Sequence, residues 1–541
     1  MADRRKILIV GGGSAGWMTA ALLVKTLGDQ YAIELVESSE IGTIGVGEGS
    51  VPKIASLFDA LGIDEAEWMP ACNATYKTGI RFKDWSIKPG YEHYFHGFFS
   101  HFDRDHVKAL QFNSVLRRSR LDVHAHPDAF VYNSYLAERA LAPTTPEHWP
   151  FDVQYAYHFD AGLLGEFLKT WSMERGVDWR DCRIERTEIG SDGNIAEVIT
   201  SEGDGIEADI FVDCSGFGAF LIEKALGAKH IGYGEALFND AAVAIATAPL
   251  KNPKPMTTAT ALRNGWAWHI PLQSRTGNGY VYSSRYIDGD AAEAELRAHI
   301  GEAADGADAR HLKMRVGRLD RPWIGNCVAV GLSQGFLEPL EATGLMLSQY
   351  TVTRFIHHLV ESGCSEKPRS AFNKEIGDAF DGVRDFIVAH YLTASRDDTQ
   401  YWRDVRANKA GISDNLKGAF ETWFKGRDLA EFLNQRRMTS YFSLNSWYYM
   451  FTGKGIYPPE VTGPPPDQLL SKVPMDSIMD VLERCTLNHD THADRLTWLA
   501  SDEARETRKS RKPSIEESRL LLFNATPHTG RTMKTPDVNS L

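Results

Sequence analysis

A chain of 541 residues is long enough for two or three domains, or for one large domain with insertions. An apolar fraction of 43% and a charged fraction of 24% are those of a soluble globular protein, and a net charge of −13 leaves no basic footprint for nucleic acid or an anionic membrane. The six cysteines include no C-x-x-C pair, so neither a disulfide framework nor a zinc site is indicated, and no metal is expected.

The first elements define a nucleotide site. Residues 6–10 read as a fully buried strand and residues 17–24 as a helix. Between them lies Gly11-Gly12-Gly13-Ser14-Ala15-Gly16. Gly11 gives the tight turn, Gly13 lets the backbone approach a pyrophosphate, and Gly16 lets helix and strand pack closely. Ser14 and Ala15 open the helix, whose N-terminal N–H groups attract phosphate. A second apolar strand, 33–36, ends at Glu37, where an acid takes a ribose hydroxyl. That acid favours FAD or NAD over NADP. A glycine turn that merely joined strand to helix would leave Glu37 unexplained.

Residues 41–52, with Gly47 and Glu48, are too glycine-rich for a helix and too apolar for a solvated linker. An extended strap beside the cofactor and a plain connection fit this spacing equally. Residues 53–150 read as an irregular, aromatic insertion that forms part of a substrate site. Asp160 is a candidate N-cap for a helix over 161–174. Strand-like stretches follow at 196–200 and 206–211, the latter running into Val212-Asp213-Cys214-Ser215-Gly216-Phe217. Residues 237–320 alternate strand and turn, as a sheet covering a flavin would. A Gly/Pro turn at 336 leads into a helix to 359, and the pattern stays mainly helical to about 485. Pro458-Pro459 and Gly463-Pro464-Pro465-Pro466 punctuate it. From 503 the chain is charged, then polar. Its apolar cluster 520–523 can dock, and the extreme end is expected to be loosely held.

Four further stretches bear on chemistry. Gly265-Trp266-Ala267-Trp268-His269-Ile270-Pro271 places two indoles on one face of a strand, where core packing is the plain explanation. Lys77 would pass for one of 59 basic residues on the surface. In Gly335 to Leu345, Pro339 suits the first turn of a helix and Glu341 its dipole. His96-Gly97-Phe98 reads as aromatic packing.

Together these stretches resemble the flavin-dependent halogenases of the tryptophan-halogenase type. Trp266-x-Trp268-x-Ile270-Pro271 matches the W-x-W-x-I-P signature of that family. The N-terminal glycine motif, Lys77 and the P-L-E-x-T-G stretch at Pro339 to Gly344 match as well. The likeness runs from residue 1 to roughly 460. It implies an α/β fold, with a two-dinucleotide-fold flavoprotein core over 1–350 that carries the insertion at about 53–150. An α-rich substrate-covering region over 351–502 and a C-terminal tail over 503–541 would follow.

The resemblance also implies chemistry. Reduced FAD (FADH2), with O2, would oxidise chloride or bromide to hypohalous acid. Gly11, Gly13, Ser14, Ala15, Gly16, Glu37, Gly47, Glu48 and Leu332 would bind FAD. The backbone amides of Thr343 and Gly344 would hold the halide. The oxidant would pass down a tunnel to Lys77, which presents the halogen to the substrate by hydrogen bond or as a haloamine. Glu341 would orient the oxidant and remove the ring proton. Trp266, Trp268, Ile270 and Pro271 would line the wall between flavin and substrate, with His96, Phe98, Tyr441 and Phe442 in the substrate pocket.

Two departures matter. Tryptophan halogenases carry a Tyr-Tyr…Glu clamp for the amino-acid end of the substrate, and residues 432–439 contain none. Indole, a substituted indole or another electron-rich ring is therefore expected in place of free tryptophan, with attack at C3 of indole. Ala342 stands where the family often has Ser, a change that bears on halide preference, in the direction of bromide.

An aromatic hydroxylase that is self-sufficient would bind NAD(P)H in the same chain, yet the sequence has no second glycine fingerprint. A non-catalytic flavin-binding protein would leave Lys77 and Glu341 without a role. The expectation is a cytoplasmic enzyme, as a monomer or homodimer, supplied with FADH2 by a separate NAD(P)H-dependent flavin reductase.

Overall fold

The structure is a computed structural model that describes residues 4–42, 45, 47–146, 148–457, 474–507 and 513–524. Arg5–Val10 lies inside a six-stranded sheet because Ile7, Leu8 and Ile9 are apolar on both faces, and both faces are covered. It pairs in parallel with Tyr31–Glu37 on one side and Ile210–Asp213 on the other. Cys327–Ala329 and Trp323–Ile324 extend one edge, and Asp178–Asp181 forms the other. Parallel neighbours need a crossover. Helix Ser14–Leu27 lies between the first two strands in the chain, and the glycine turn leads into it.

The strand expected over 206–211 is two strands in two sheets. Gly205–Glu207 pairs antiparallel with Ile195–Thr200, whereas Ile210–Asp213 enters the parallel sheet. The break falls at Asp209, whose carboxylate accepts from Lys6 N at 2.7 Å while its own N–H donates to Lys6 O.

A seven-stranded sheet runs Ala309–Lys313, Ala241–Thr247, Thr276–Tyr282, Gly265–Pro271, Thr257–Leu262, Gly79–Lys83, His93–Gly97. The aromatic stretch around 93–97 is thus a regular edge strand rather than an irregular insert, with Ile80 opposite His96. Mixed rings and imidazoles on both faces conceal its alternation. The Thr257–Leu262 strand joins Gly79–Lys83 in parallel, so the segment after Lys77 belongs to the same sheet as the tryptophan pair.

A small sheet of Glu48–Gly49, Ala156–Phe159 and Thr75–Lys77 ties the strap to the lysine. Thr43, Ile44 and Val46 of that strap lie outside the described residues. Glu65, on helix Glu65–Ala71, accepts the hydroxyls of Tyr76, Tyr155 and Tyr157 at 2.7–2.8 Å. This carboxylate fixes the two strands that frame Lys77.

The helices Gly344–Ser362, Glu366–Leu392 and Leu444–Gly453 share one hydrophobic core with the first sheet. Helix Gly344–Ser362 runs through position 350, so core and helical region meet within a continuous helix. Helix His492–Leu499 reaches back to the site, where His492 Nε2 accepts from Tyr76 N at 3.1 Å. The apolar cluster at 520–523 lies on helix Ile515–Asn524, which packs on Ser14–Leu27 and Ile54–Leu61. Ser518 donates to Ala60 O and Arg519 to Thr26 O. The proline-rich stretch at 458–466 and the chain beyond 524 lie outside the described residues. Among the described residues no helix is long and apolar enough to cross a membrane.

Candidate active site

The glycine turn leaves no room for side chains at Gly11 and Gly16. Gly11 has φ +112°, and a Cβ there would come within 2.2 Å of Cys214 O. A Cβ on Gly16 would meet Gly11 O at 1.9 Å, whereas one on Gly13 would point into open space. Helix Ser14–Leu27 begins with no side-chain cap and no acid in its first turn, so its N–H groups stay available to an anion. Ser14 Oγ turns away and donates to Ala161 O at 3.0 Å, and Asp160 caps that neighbouring helix, Ala161–Met173, as its sequence indicates. Leu332 belongs to the turn Gly331–Ser333, which packs against Ala15.

Glu37 Oε1 accepts from Lys169 Nζ and Trp179 Nε1, both at 2.9 Å, and Oε2 lies against Gly12. Neither partner carries a recognisable sequence signal. They come from the helix and strand that follow Asp160. Gly47 sits near Leu272, and burial pushes the Glu48 carboxyl up to about 7, with Asp160 adding to the effect and Arg275 opposing it.

Lys77 is buried in the small sheet. Its Nζ donates to Ser50 O at 2.9 Å, makes no other hydrogen bond among the described residues, and stands 5.7 Å from the centre of the Phe98 ring. Burial pushes its pKa down to about 7 against the pull of Glu341. A Cβ on Gly49 would lie 3.4 Å from that Nζ and 3.5 Å from Ala342, so lysine, strap and the P-L-E-x-T-G stretch converge at one point.

Pro339 does not head the long helix. It opens a separate 3₁₀ turn, Pro339–Glu341, which Ala342 closes at φ +55°. This left-handed residue redirects the chain, so that Glu341 faces inward and helix Gly344–Ser362 starts afresh without a side-chain cap. Thr343 is buried, and a Cβ on Gly344 would meet nothing within 4 Å. Glu341 is buried, with His96 Nδ1 at 3.0 Å and His390 Nε2 at 2.7 Å from the same oxygen, Oε1. Burial alone would raise its pKa. The charge and hydrogen bond of His96, with the hydrogen bond from His390, instead hold it at about 2.

Trp266 and Trp268 are buried with ring centres 6.3 Å apart; the Trp266 N–H is directed at the buried Glu338 carboxylate, and the Trp268 indole N–H has no acceptor among the described residues. Ile270 is buried beside them, and Pro271 O accepts from Thr75 two residues before Lys77. Phe442 stacks on Phe386 at 3.8 Å, and Phe386 in turn meets His96 and His390. Tyr441 turns the other way, against Gly382 and Tyr350. The structure thus brings Lys77, Glu341, His96, Phe98 and Phe442 together, and sets Tyr441 apart. His390 and Phe386 were missed because they sit on a long helix, Glu366–Leu392, that reads as ordinary core.

The sequence matches the tryptophan halogenase family over residues 6–464. The chain belongs to that family. It is 39% identical over 446 residues to the tryptophan 6-halogenase SttH of Streptomyces toxytricini, covering 77% of this chain and 83% of that protein. The tryptophan 7-halogenase RebH of Lentzea aerocolonigenes is 34% identical, over 78% of this chain and 82% of its own. Among solved structures, Xcc4156, a flavin-dependent halogenase from Xanthomonas campestris, superposes with a TM-score of 0.82 at 33% identity, over 92% of this chain and 98% of its own. As a member of the tryptophan halogenase family this protein is a flavin-dependent enzyme with the α/β fold of its relatives.

Proposed function

We infer that this halogenase acts on an electron-rich aromatic ring, indole or a substituted indole in preference to free tryptophan, at C3. The observation that carries the reading is the fully buried Lys77 beside the Glu341 carboxylate, with His96 and Phe98 around them. A lysine withdrawn from water, with one backbone acceptor, is costly to the fold and is best explained by chemistry.

The chain fits FAD. The open space at Gly13, the uncapped helix N-terminus and the Glu37 carboxylate form a cradle for a dinucleotide. The orphaned indole N–H of Trp268 fits a wall completed by bound polar groups. Bound as FADH2, the cofactor supplies with O2 the two-electron oxidation of halide to hypohalous acid. The amides of Thr343 and Gly344, at the start of a long helix, hold the halide.

The remaining steps belong to side chains. The Lys77 ammonium donates to the oxygen of hypohalous acid and polarises the O–halogen bond. Ring C3 takes the halogen as that bond breaks, and Lys77 protonates the departing hydroxide to water. Glu341 Oε2, which takes no hydrogen bond among the described residues, removes the proton from C3. An arenium ion is acidic enough for so weak a base. The proton then returns to Lys77, which restores both groups.

The substrate assignment rests on residues 432–439. They pass from helix Leu429–Gln435 into a turn, with Asn434, Gln435, Arg436 and Arg437 exposed and no Tyr-Tyr…Glu clamp. Without a clamp, intrinsic reactivity directs attack, which for indole is C3. A separate NAD(P)H-dependent flavin reductase supplies FADH2.

The test is a panel of indole, substituted indoles and free tryptophan, run with chloride and bromide separately under a reductase-fed supply of FADH2 and read by mass. Haloindole with little halotryptophan is expected. Preferred turnover of free tryptophan would overturn the substrate, and hydroxyindole would overturn the reaction.

A further inference from the structure

Glu341 has a second line of support behind it. His390 offers Nε2 to Glu341 at 2.7 Å, while its Nδ1 faces Lys454 Nζ and Tyr94 Oη, each at 3.4 Å. Lys454 caps the C-terminus of helix Leu444–Gly453 and is fully buried. Its Nζ meets three acceptors: His390 O at 2.7 Å, Thr393 Oγ1 at 3.2 Å and His390 Nδ1. Three acceptors match the three N–H donors of an ammonium. The rings of Trp85 and Phe82, at 4.8 and 5.9 Å, favour a cation there, as does Glu341, while burial pulls the Lys454 pKa well down.

An imidazole nitrogen facing an ammonium keeps its lone pair. We propose that Lys454 is a positioning residue: it holds His390 in the neutral Nε2–H tautomer, so that Glu341 receives a hydrogen bond from a neutral ring rather than an ion pair with an imidazolium. Glu341 then keeps the basicity needed to take the ring proton, a role that rests on the function proposed above. The His390 ring is held for this task, stacked on Phe82 at 4.6 Å and edge-on to Phe386. Burial, and after it the charge of Lys454, keep His390 at about 3 against the pull of Glu341. The titratable groups that face this line are Tyr94, His96, Glu341 and, across the site, Lys77.

The test compares the wild-type protein with Lys454→Met and Lys454→Gln, alone and combined with His390→Gln. Indole bromination under reductase-supplied FADH2 is followed from about pH 5.5 to pH 9, together with histidine side-chain ¹⁵N spectra. Removing the ammonium lets His390 take a second proton. In Lys454→Met, kcat should fall progressively toward the acidic end of the range and change little near pH 8.5, with KM for indole unchanged. With glutamine at 390, which donates but does not titrate, the same change should add no acidic limb. The wild-type spectrum should show His390 neutral with the proton on Nε2 throughout, and the variant should show it beginning to take a second proton at the acidic end of the range.

A loss equal at all pH values, or one that persists in the His390→Gln background, would make Lys454 merely structural and overturn the proposal. If both Lys454 variants fail to fold, a wild-type His390 found as imidazolium or as the Nδ1–H tautomer does the same. A fully active Glu341→Gln would remove the base itself, while the His390 spectra would still report on Lys454.

Discussion

Lys77 is where fold and reaction pull against each other. Burial that weakens the ammonium also strips it of competing water, so each hydrogen bond it gives is stronger. With its pKa near 7, the ammonium is lost as pH rises through that value. Bromination at saturating indole should therefore decline from about pH 6 to pH 8, and a rate that climbs instead would assign the work to the free amine. Lys77→Ala should abolish product while FADH2 still binds and reoxidises, which flavin absorbance can follow. Glu341→Gln should slow turnover by about a hundredfold or more without changing the melting temperature much, since an amide still meets both imidazoles. The sequence identifies these two residues only through their resemblance to a family. Spacing alone gives neither the burial of Lys77 nor the paired imidazoles on Glu341.

The elements that carry these side chains depend on a few fixed points. The strands Thr75–Lys77 and Ala156–Phe159 are held by three tyrosine hydroxyls on Glu65. Glu65→Ala removes the shared acceptor of these hydroxyls, that of the fully buried Tyr76 included, and should cost about 1–3 kcal/mol in urea unfolding, with kcat reduced as Lys77 shifts. The turn after Arg5–Val10 is equally exacting. Gly11→Ala places a methyl into Cys214 O at a φ that alanine rarely adopts, and should weaken FAD binding and lower the melting temperature. Element-level expectations held where the cause is local. Asp160 caps its helix through its own neighbours, accepting from Gly162 and Leu163. They failed where the cause is distant, as at Asp209, whose pairing with Lys6 splits one apolar run into two strands.

Across the whole molecule, one core unites the nucleotide sheet with the helices that close the site. The C-terminal helix Ile515–Asn524 lies on the nucleotide side, with Leu522 buried against it. Truncation after residue 507 should therefore lower stability by about 2–4 kcal/mol in urea unfolding, while turnover per folded molecule stays close to that of the full chain. By itself the sequence determined the dinucleotide turn with its flanking strands and helix, the Asp160 cap and the family motifs. These depend on residues a few positions apart, which share one turn or one strand. Only the tertiary structure decided which lysines are buried and what surrounds Glu341. His96, His390 and Lys454 reach that carboxylate, or one another, from 245, 49 and 64 positions away along the chain. No local pattern encodes such a meeting, because packing of the helical region on the sheets creates it.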